Sequence, residues 1–139
     1  MAGSLRIGEQ IAAVRTSAEF GTLLPSWTPQ VFQSLAARWG EKEGWDSYNA
    51  KPTDLQHVVK LLNYLTEVML DDSAPPLITP LCDGGVQAEW HGNNANLEIV
   101  VPADEASTYY YYDAGTGDEE DAPLDPSIAR VCDLIARFR

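Results

Sequence analysis

Positive charge, cysteine and long apolar runs are all scarce in this sequence of 139 residues. Nine lysines and arginines stand against 21 aspartates and glutamates, which gives a formal net charge of −12. Binding to nucleic-acid phosphates depends on lysine and arginine, so this balance argues against direct nucleic-acid binding. No run of about 18 apolar residues occurs, so no segment is predicted to span a membrane. Glu9 and Arg15 interrupt any signal-peptide core at the N-terminus, which favours a cytoplasmic protein.

Cysteine and histidine, which form disulfides and bind zinc, are few in this sequence and poorly spaced for either purpose. Cys82 and Cys132 lack CxxC spacing, and lone thiols in a cytoplasmic protein are usually buried as small hydrophobic side chains. His57 and His91 have no second histidine at zinc-binding spacing. We therefore predict no metal ion and no cofactor, and we expect both histidines at the surface.

The acidic residues between Asp113 and Asp121 could suggest a calcium loop. An EF-hand loop needs oxygen ligands at its first, third and fifth positions. Gly115 and Gly117 occupy the third and fifth positions here. A specific calcium site is therefore not predicted.

Enough apolar residues are present to build a core. Hydrophobic residues make up 45% of the chain, and four of them are tryptophans. The length is typical of one domain. We predict a single domain over residues 1–139, with a helical part at 1–72, a β-meander at 75–113, an acidic loop at 113–124 and a C-terminal helix at 125–139.

Three helices are predicted in the helical part. The first lies within the first twenty residues, with Ser4 as its N-cap. The second has Thr28 as its N-cap and Gly40 just beyond its end. The third begins at a capping box formed by Thr53 and Gln56. Its apolar stripe is the strongest helical pattern in the chain and consists of Leu55, Val58, Val59, Leu62, Leu65, Val68 and Met69.

From Pro75 onward, the apolar period changes from that of a helix to that of a strand. Short alternating segments separated by glycine-rich turns predict a four-stranded antiparallel β-meander. N-terminal helices, then strands, then a C-terminal helix define an α+β fold, with helices on one face of the sheet. The strand residues predicted to face the helices are Val86, Ala88, Trp90, Leu97, Ile99 and Val101.

Charge is separated along the chain. No lysine or arginine occurs between Lys60 and Arg130, whereas 14 acidic residues do. A surface of one sign accelerates encounter with a partner of opposite sign. Tyrosines are typical anchors of protein interfaces, and Tyr110 and Tyr112 are the candidate anchors here. The predicted partner-binding residues are Asp104, Glu105, Tyr110, Tyr112, Asp113, Asp118, Glu119, Glu120 and Asp121.

The most distinctive local segment is Gly44-Trp45-Asp46-Ser47-Tyr48-Asn49-Ala50-Lys51-Pro52, between the second and third helices. It resembles the GWDGYGA-x-P motif of small, functionally uncharacterised bacterial and phage proteins. In those proteins a meander with a PDGG-like turn and a Glu-Trp pair follows. The corresponding residues here are Cys82-Asp83-Gly84-Gly85 and Glu89-Trp90.

The likeness covers about residues 44–112, and Ser47 and Asn49 depart from the glycines of the motif. The resemblance implies a shared fold and a bacterial or mobile-element setting, but no activity. We predict a structural role for this segment, in which Trp45 and Tyr48 anchor it on the core.

These features favour a non-enzymatic inhibitor that binds a basic protein surface. It would occupy a lysine- and arginine-lined groove meant for DNA or RNA, in the manner of an anti-CRISPR protein that blocks a bacterial defence complex. An antitoxin or immunity protein that neutralises a toxin is an alternative. A homodimer is compatible with both hypotheses, and no catalytic residue is predicted.

A small enzyme or ligand-binding domain is the remaining alternative. It would use Glu89 and His91 on the sheet face away from the helices, with Asp83 or Glu98 as neighbours. General acid–base catalysis needs such groups within hydrogen-bond reach in a cleft. A cleft around Glu89 and His91 would favour this alternative.

Overall fold

The computed structural model describes residues 27–38 and 51–138. Within these residues the helices are α1 (Thr28–Arg38), α2 (Leu55–Val68) and α3 (Ile128–Ile135). The strands are β1 (Leu77–Pro80), β2 (Val86–Gly92), β3 (Ala95–Val101), β4 (Thr108–Asp113) and β5 (Glu119–Pro123). The α+β class and the antiparallel sheet are confirmed. The helix predicted in the first twenty residues, together with Trp45 and Tyr48, lies outside the described residues.

Helix α1 packs near the β1 edge of the sheet. Its Val31 and Leu35 are buried, as is Trp27 just before it. The indole N–H of Trp27 donates to the Leu70 carbonyl at 3.0 Å. This bond joins the start of α1 to the segment that follows α2. None of the described helices combines the length and the apolar character needed to cross a lipid bilayer.

Helix α2 is capped by Asp54, so the capping box predicted at Thr53 is wrong. The Asp54 side chain accepts the Gln56 backbone N–H at 2.9 Å, and aspartate ranks with the best N-cap residues. The apolar stripe of this helix is confirmed in its main positions. Its buried side chains are Val58, Leu61, Leu62, Tyr64, Leu65 and Val68.

The sheet is a meander in which each strand pairs with the next along the chain, in the order β1-β2-β3-β4-β5. The four predicted strands correspond to β1 to β4. The prediction of a loop over 113–124 is wrong, because Glu119–Pro123 pairs with β4 as a fifth strand. Glutamate, aspartate and proline are depleted in strands, so the composition of this segment does not indicate one.

The turn between β4 and β5 explains how an acidic segment becomes a strand. The Asp113 side chain accepts the backbone N–H groups of Gly115 at 2.8 Å and Thr116 at 3.2 Å. Gly117 has a φ of 80°, which glycine adopts without steric cost. Leu124 is fully buried directly after β5. The turn therefore returns the chain beside β4, and Leu124 anchors the end of the new strand.

One face of the sheet forms the core together with α2 and α3. The six strand residues predicted to face the helices are each 2% exposed or less, which confirms the predicted register. Tyr109 and Tyr111 are buried on the same face. Tyr110 and Tyr112 alternate with them and are half-buried on the opposite face. Both candidate anchors therefore point away from the helices.

The C-terminal segment is less regular than the single helix predicted over 125–139. A 3-10 turn at Asp125–Ser127 precedes α3, and a second at Ala136–Phe138 follows it. The Asp125 side chain does not cap α3 but accepts the Tyr64 hydroxyl at 2.7 Å. This hydrogen bond holds the start of the segment against α2.

The two cysteines are free thiols in different environments. Cys132 is half-buried, whereas Cys82 is exposed in the turn between β1 and β2. The prediction of two buried cysteines is therefore wrong for Cys82, because the turn that holds it faces solvent.

The end of the Gly44–Pro52 motif contacts the turn between β1 and β2. The Lys51 backbone N–H donates to the Cys82 carbonyl at 2.9 Å, and the Asp54 N–H donates to the Gly84 carbonyl at 2.8 Å. The two parts of the resemblance are thus joined directly by hydrogen bonds. This contact is consistent with a structural role for the end of the motif.

Candidate functional site

The sheet face turned away from the helices is the candidate site, and we call it the open face. Its side chains alternate with the buried ones along each strand, and every one of them is half-buried or exposed. The open face consists of Leu77, Thr79, Gln87, Glu89, His91, Asn96, Glu98, Val100, Thr108, Tyr110, Tyr112, Glu119, Asp121 and Pro123.

The open face carries four carboxylates and no lysine or arginine. Glu89 and Glu98 are directly paired on β2 and β3, while Glu119 and Asp121 lie on β5. Like charges in directly opposed positions destabilise a sheet. The facing pair of Glu89 and Glu98 is therefore not itself a source of fold stability, although Glu89 has hydrogen-bond partners on the same face.

Tyr110 lies in the middle of these carboxylates. On β4 it pairs with Glu98 of β3 on one side and with Asp121 of β5 on the other. Directly paired side chains on one face have Cβ atoms about 5 Å apart. Burial and the neighbouring Glu119 carboxylate raise the pKa of the Tyr110 hydroxyl. The ring is thus surrounded by acidic side chains on both flanking strands.

Tyr112 occupies the equivalent place in the next row of cross-strand pairs, between Asn96 of β3 and Glu119 of β5. The buried tyrosines of the same strand use their hydroxyls inside the protein. Tyr109 donates to Glu120 at 2.9 Å, and the Tyr111 hydroxyl lies 3.4 Å from the Asp113 carboxylate. The alternation along β4 therefore separates two structural tyrosines from two that face outward.

Glu89 and His91 come together on the open face, as the enzymatic alternative requires. Glu89 accepts hydrogen bonds from the Thr79 hydroxyl at 3.1 Å and from the Gln87 amide, and it pairs with the His91 imidazole at 3.1 Å. Burial raises the pKa of Glu89, but these hydrogen bonds outweigh it and the pKa is lowered. Hydrogen bonds to Asn96 and then to Glu89 raise the pKa of His91.

These opposite shifts are those of two groups that form an ion pair. Both ring nitrogens of His91 face oxygen atoms of side chains, which a protonated imidazolium satisfies best. A general base works best with a pKa near the operating pH; the pKa of Glu89 moves further from neutrality, whereas the pKa of His91 rises. Asp83 is not a neighbour, because its carboxylate accepts the N–H groups of Gly85 and Ala103 at the other end of β2.

Arg130 and Arg137 pair with acids on the helix side of the sheet. Arg130 binds Glu120 through two contacts of 2.9 and 2.5 Å, which lower the pKa of that carboxyl. Arg137 Nη2 lies 2.8 Å from Asp113 Oδ2. These two cations are engaged away from the open face and do not neutralise it.

The structure divides the predicted partner-binding residues into three groups. Those on the open face are Tyr110, Tyr112, Glu119 and Asp121. Asp113 and Glu120 hold the internal ion pairs with arginine, which removes them from the candidate surface. Asp104 and Glu105 lie in an exposed turn at one end of the sheet, and Asp118 lies in the exposed turn at the other end.

Glu89 and Glu98 belong to the open face although neither is among the predicted partner-binding residues. The signal that places them there is the strand alternation, because both fall between buried apolar positions. Counting charge along the chain overlooks this, since it favours clustered acids in the 118–121 segment over single acids spaced by the strand period.

Within residues 27–38 and 51–138, no three histidine, cysteine or acidic side chains are grouped so that they could hold a metal ion. Comparison with known proteins finds no matching family model, no matching curated protein and no matching solved structure. The resemblance to the GWDGYGA-x-P proteins therefore remains a prediction, and functional inference starts from the open face.

Acid-dependent stability is expected from Asp83. Burial raises its pKa, but the N–H groups of Ala103 and Gly85 outweigh burial and lower it. A carboxyl whose pKa is lower in the folded protein stabilises the fold above its unfolded pKa, and this contribution is lost as the pH falls through its folded pKa. We expect Asp83→Asn to be less stable than the unmodified protein at pH 7, with the difference shrinking in acid, as measured by urea denaturation.

The matched control is Asp104→Asn, which removes one charge from the exposed turn that follows β3. Its effect on stability is expected to be small at neutral pH. A stability difference for Asp83→Asn that stays constant from pH 7 into the carboxyl range would contradict the role assigned to its ionised form.

Proposed function

We propose that this protein is a non-catalytic inhibitor that binds a basic surface of another protein and blocks nucleic acid from that surface. The observation that carries the proposal is the open face, where carboxylates and two tyrosines share one side of the sheet with no lysine or arginine. Direct binding to nucleic acid would require the opposite charge.

The carboxylate pattern supports competition with a nucleic-acid backbone. Glu89 and Glu98 lie on adjacent strands about 5 Å apart. Glu119 and Asp121 lie on β5, which β4 separates from Glu98, so the face offers several negative charges spread over three strands. Exposed ion pairs contribute little affinity by themselves. Charge would mainly accelerate and orient the encounter, while Tyr110 and Tyr112 would supply the desolvated contacts that hold the complex.

A nucleic-acid-handling complex of bacterial defence is the partner class that we propose first, in the manner of anti-CRISPR inhibition. The resemblance to bacterial and phage proteins supports this setting, and the charge supports a partner with a groove for DNA or RNA.

Salt-dependent capture followed by competition tests this proposal. The tagged full chain is used to capture proteins from host lysate, and the affinity of each captured protein is measured at roughly 50 and 500 mM salt, between which the Debye length shrinks about threefold. We expect affinity to fall by at least about tenfold, because steering by charge is screened. The captured protein should also release labelled DNA or RNA when this protein is added.

Two triple variants with the same charge change separate the open face from the acidic turns. Glu98→Gln/Glu119→Gln/Asp121→Asn alters the open face, and Asp104→Asn/Glu105→Gln/Asp118→Asn alters the turns at the two ends of the sheet. The first variant is expected to weaken binding far more than the second. Affinity that does not change with salt, or a partner that retains its nucleic acid in the complex, would contradict the proposed function.

A further inference from the structure

The two outward tyrosines of β4 form a repeated unit with the acidic side chains beside them. Tyr110 and Tyr112 are two residues apart on one strand and face the same side, which places them about 7 Å apart along β4. Tyr110 has a carboxylate in register on each side, Glu98 and Asp121, while Tyr112 has Glu119 on one side. An aromatic ring with a flanking carboxylate therefore occurs twice in adjacent rows.

This unit matches the chemistry of an arginine side chain better than that of a lysine side chain. A guanidinium group is planar, stacks on an aromatic ring and donates parallel hydrogen bonds to a carboxylate. A lysine ammonium is compact and strongly hydrated, and it cannot stack in this way. A ring that stands between carboxylates offers both the stacking surface and the acceptors that a guanidinium uses at the same time.

We propose that the open face is a docking surface for arginine side chains of a basic protein, with one guanidinium on Tyr110 between Glu98 and Asp121 and a second on Tyr112 beside Glu119. This inference rests on the proposed function and adds the chemistry by which the partner is recognised. Charge complementarity identifies the occupant. A second copy of this chain bound through the same face would place carboxylates against carboxylates, and nucleic acid or an anionic membrane would be repelled by the net charge of −12.

Arginine and lysine peptides of equal length and charge test the preference. Nona-arginine and nona-lysine are titrated into the full chain labelled with ¹⁵N, and affinities are measured by calorimetry at about 150 mM salt. We expect the arginine peptide to bind about tenfold more tightly, as stacking and paired hydrogen bonds are added to the same charge. Its chemical-shift changes should centre on residues 96–98, 110–112 and 119–121.

Two double variants that remove the same number of charges show where the arginine peptide binds. Glu98→Gln/Asp121→Asn is expected to weaken binding of nona-arginine by about tenfold, while Asp104→Asn/Glu105→Gln in the turn after β3 should weaken it less than about threefold. Tyr110→Phe keeps the stacking surface and should keep the arginine preference, whereas Tyr110→Thr should reduce it and leave only the contribution of Tyr112. Thermal melts check that each variant is folded. Threonine is the replacement because it retains strand propensity.

Equal affinity for the two peptides, or equal effects of the two double variants, would overturn the arginine inference and show general electrostatic attraction. That result would leave the proposed function standing, since a basic groove could still bind. Conversely, a captured partner that keeps its nucleic acid would contradict the proposed function without changing the peptide preference. The two failures are therefore distinguishable.

Discussion

Replacing Trp90 with alanine is expected to lower the free energy of unfolding by about 3–5 kcal/mol, as truncation of large buried aromatics does. Trp90 is 2% exposed in the middle of the sheet face that packs on the helices. Its indole N–H donates to the Ala74 carbonyl at 2.8 Å, which ties β2 to the segment before β1. Truncation would leave a cavity and would remove the partner of that carbonyl.

Urea denaturation of Trp90→Ala and of two comparison variants measures the effect. Trp90→Phe keeps most of the buried volume and removes the indole N–H, so it should lose clearly less stability than the alanine variant. Leu77→Ala shortens a side chain that is 51% exposed on the same sheet, and it should change stability by no more than about 0.5 kcal/mol.

The Trp90 result also bears on the binding proposal. A shift of strand register by one residue moves every side chain to the other face of the sheet. If Trp90→Ala were as mild as Leu77→Ala, Trp90 would not be in the core. Glu89 and Glu98 would then not lie on the open face, and the surface proposed for binding would have to be abandoned.

The central strands could be predicted because one pattern determines both their structure and their burial. Val86, Ala88 and Trp90 alternate with polar residues between two turns rich in glycine and asparagine, and only a strand with one buried face requires that alternation. The same pattern on β4 separates Tyr109 and Tyr111 from the outward tyrosines. The sequence alone therefore predicts the sheet face of residues whose position follows from the strand period.

Strand β5 could not be predicted, because nothing in its own composition favours a strand. Among the strands of residues 27–38 and 51–138 it pairs with β4 alone, and charged residues and proline are typical of such edge strands, where they prevent pairing with other chains. Strand alternation puts Glu120 on the helix side, opposite Tyr111, and Arg130 binds its carboxylate there. That pairing depends on the position of α3, which local sequence patterns do not specify.

The candidate site could be predicted only in part from the sequence, for the same reason. Tyr110, Glu119 and Asp121 could be identified as acidic or aromatic surface residues, but their common face depends on the register between β4 and β5. Asp113 illustrates the opposite case. It belongs to the same acidic run, yet it is 3% exposed and bonded to turn N–H groups and to Arg137. Charge in the sequence does not distinguish a binding carboxylate from a structural one.

Replacing Gly85 with alanine is expected to cost about 3 kcal/mol of folding free energy, because the added methyl group has no space. A Cβ atom at Gly85 would lie 2.3 Å from the Val101 carbonyl oxygen and 2.9 Å from the Pro102 Cα. Both are backbone atoms, so relief requires the chain after β3 to move away from the start of β2. The same turn accepts the Lys51 and Asp54 N–H groups, so this movement would also disturb the end of the Gly44–Pro52 motif.

Gly115→Ala is the matched control, since its Cβ would approach only the Asp113 side chain, at 3.2 Å, in an exposed turn. Thermal and urea unfolding of the two variants should differ by about 2 kcal/mol or more. At temperatures where Gly85→Ala remains folded, its affinity for the arginine peptide should change little, because the outward residues of β4 and β5 lie away from the altered turn. Equal stability of the two variants would mean that Gly85 does not lie as close to the Val101 carbonyl as the structure shows.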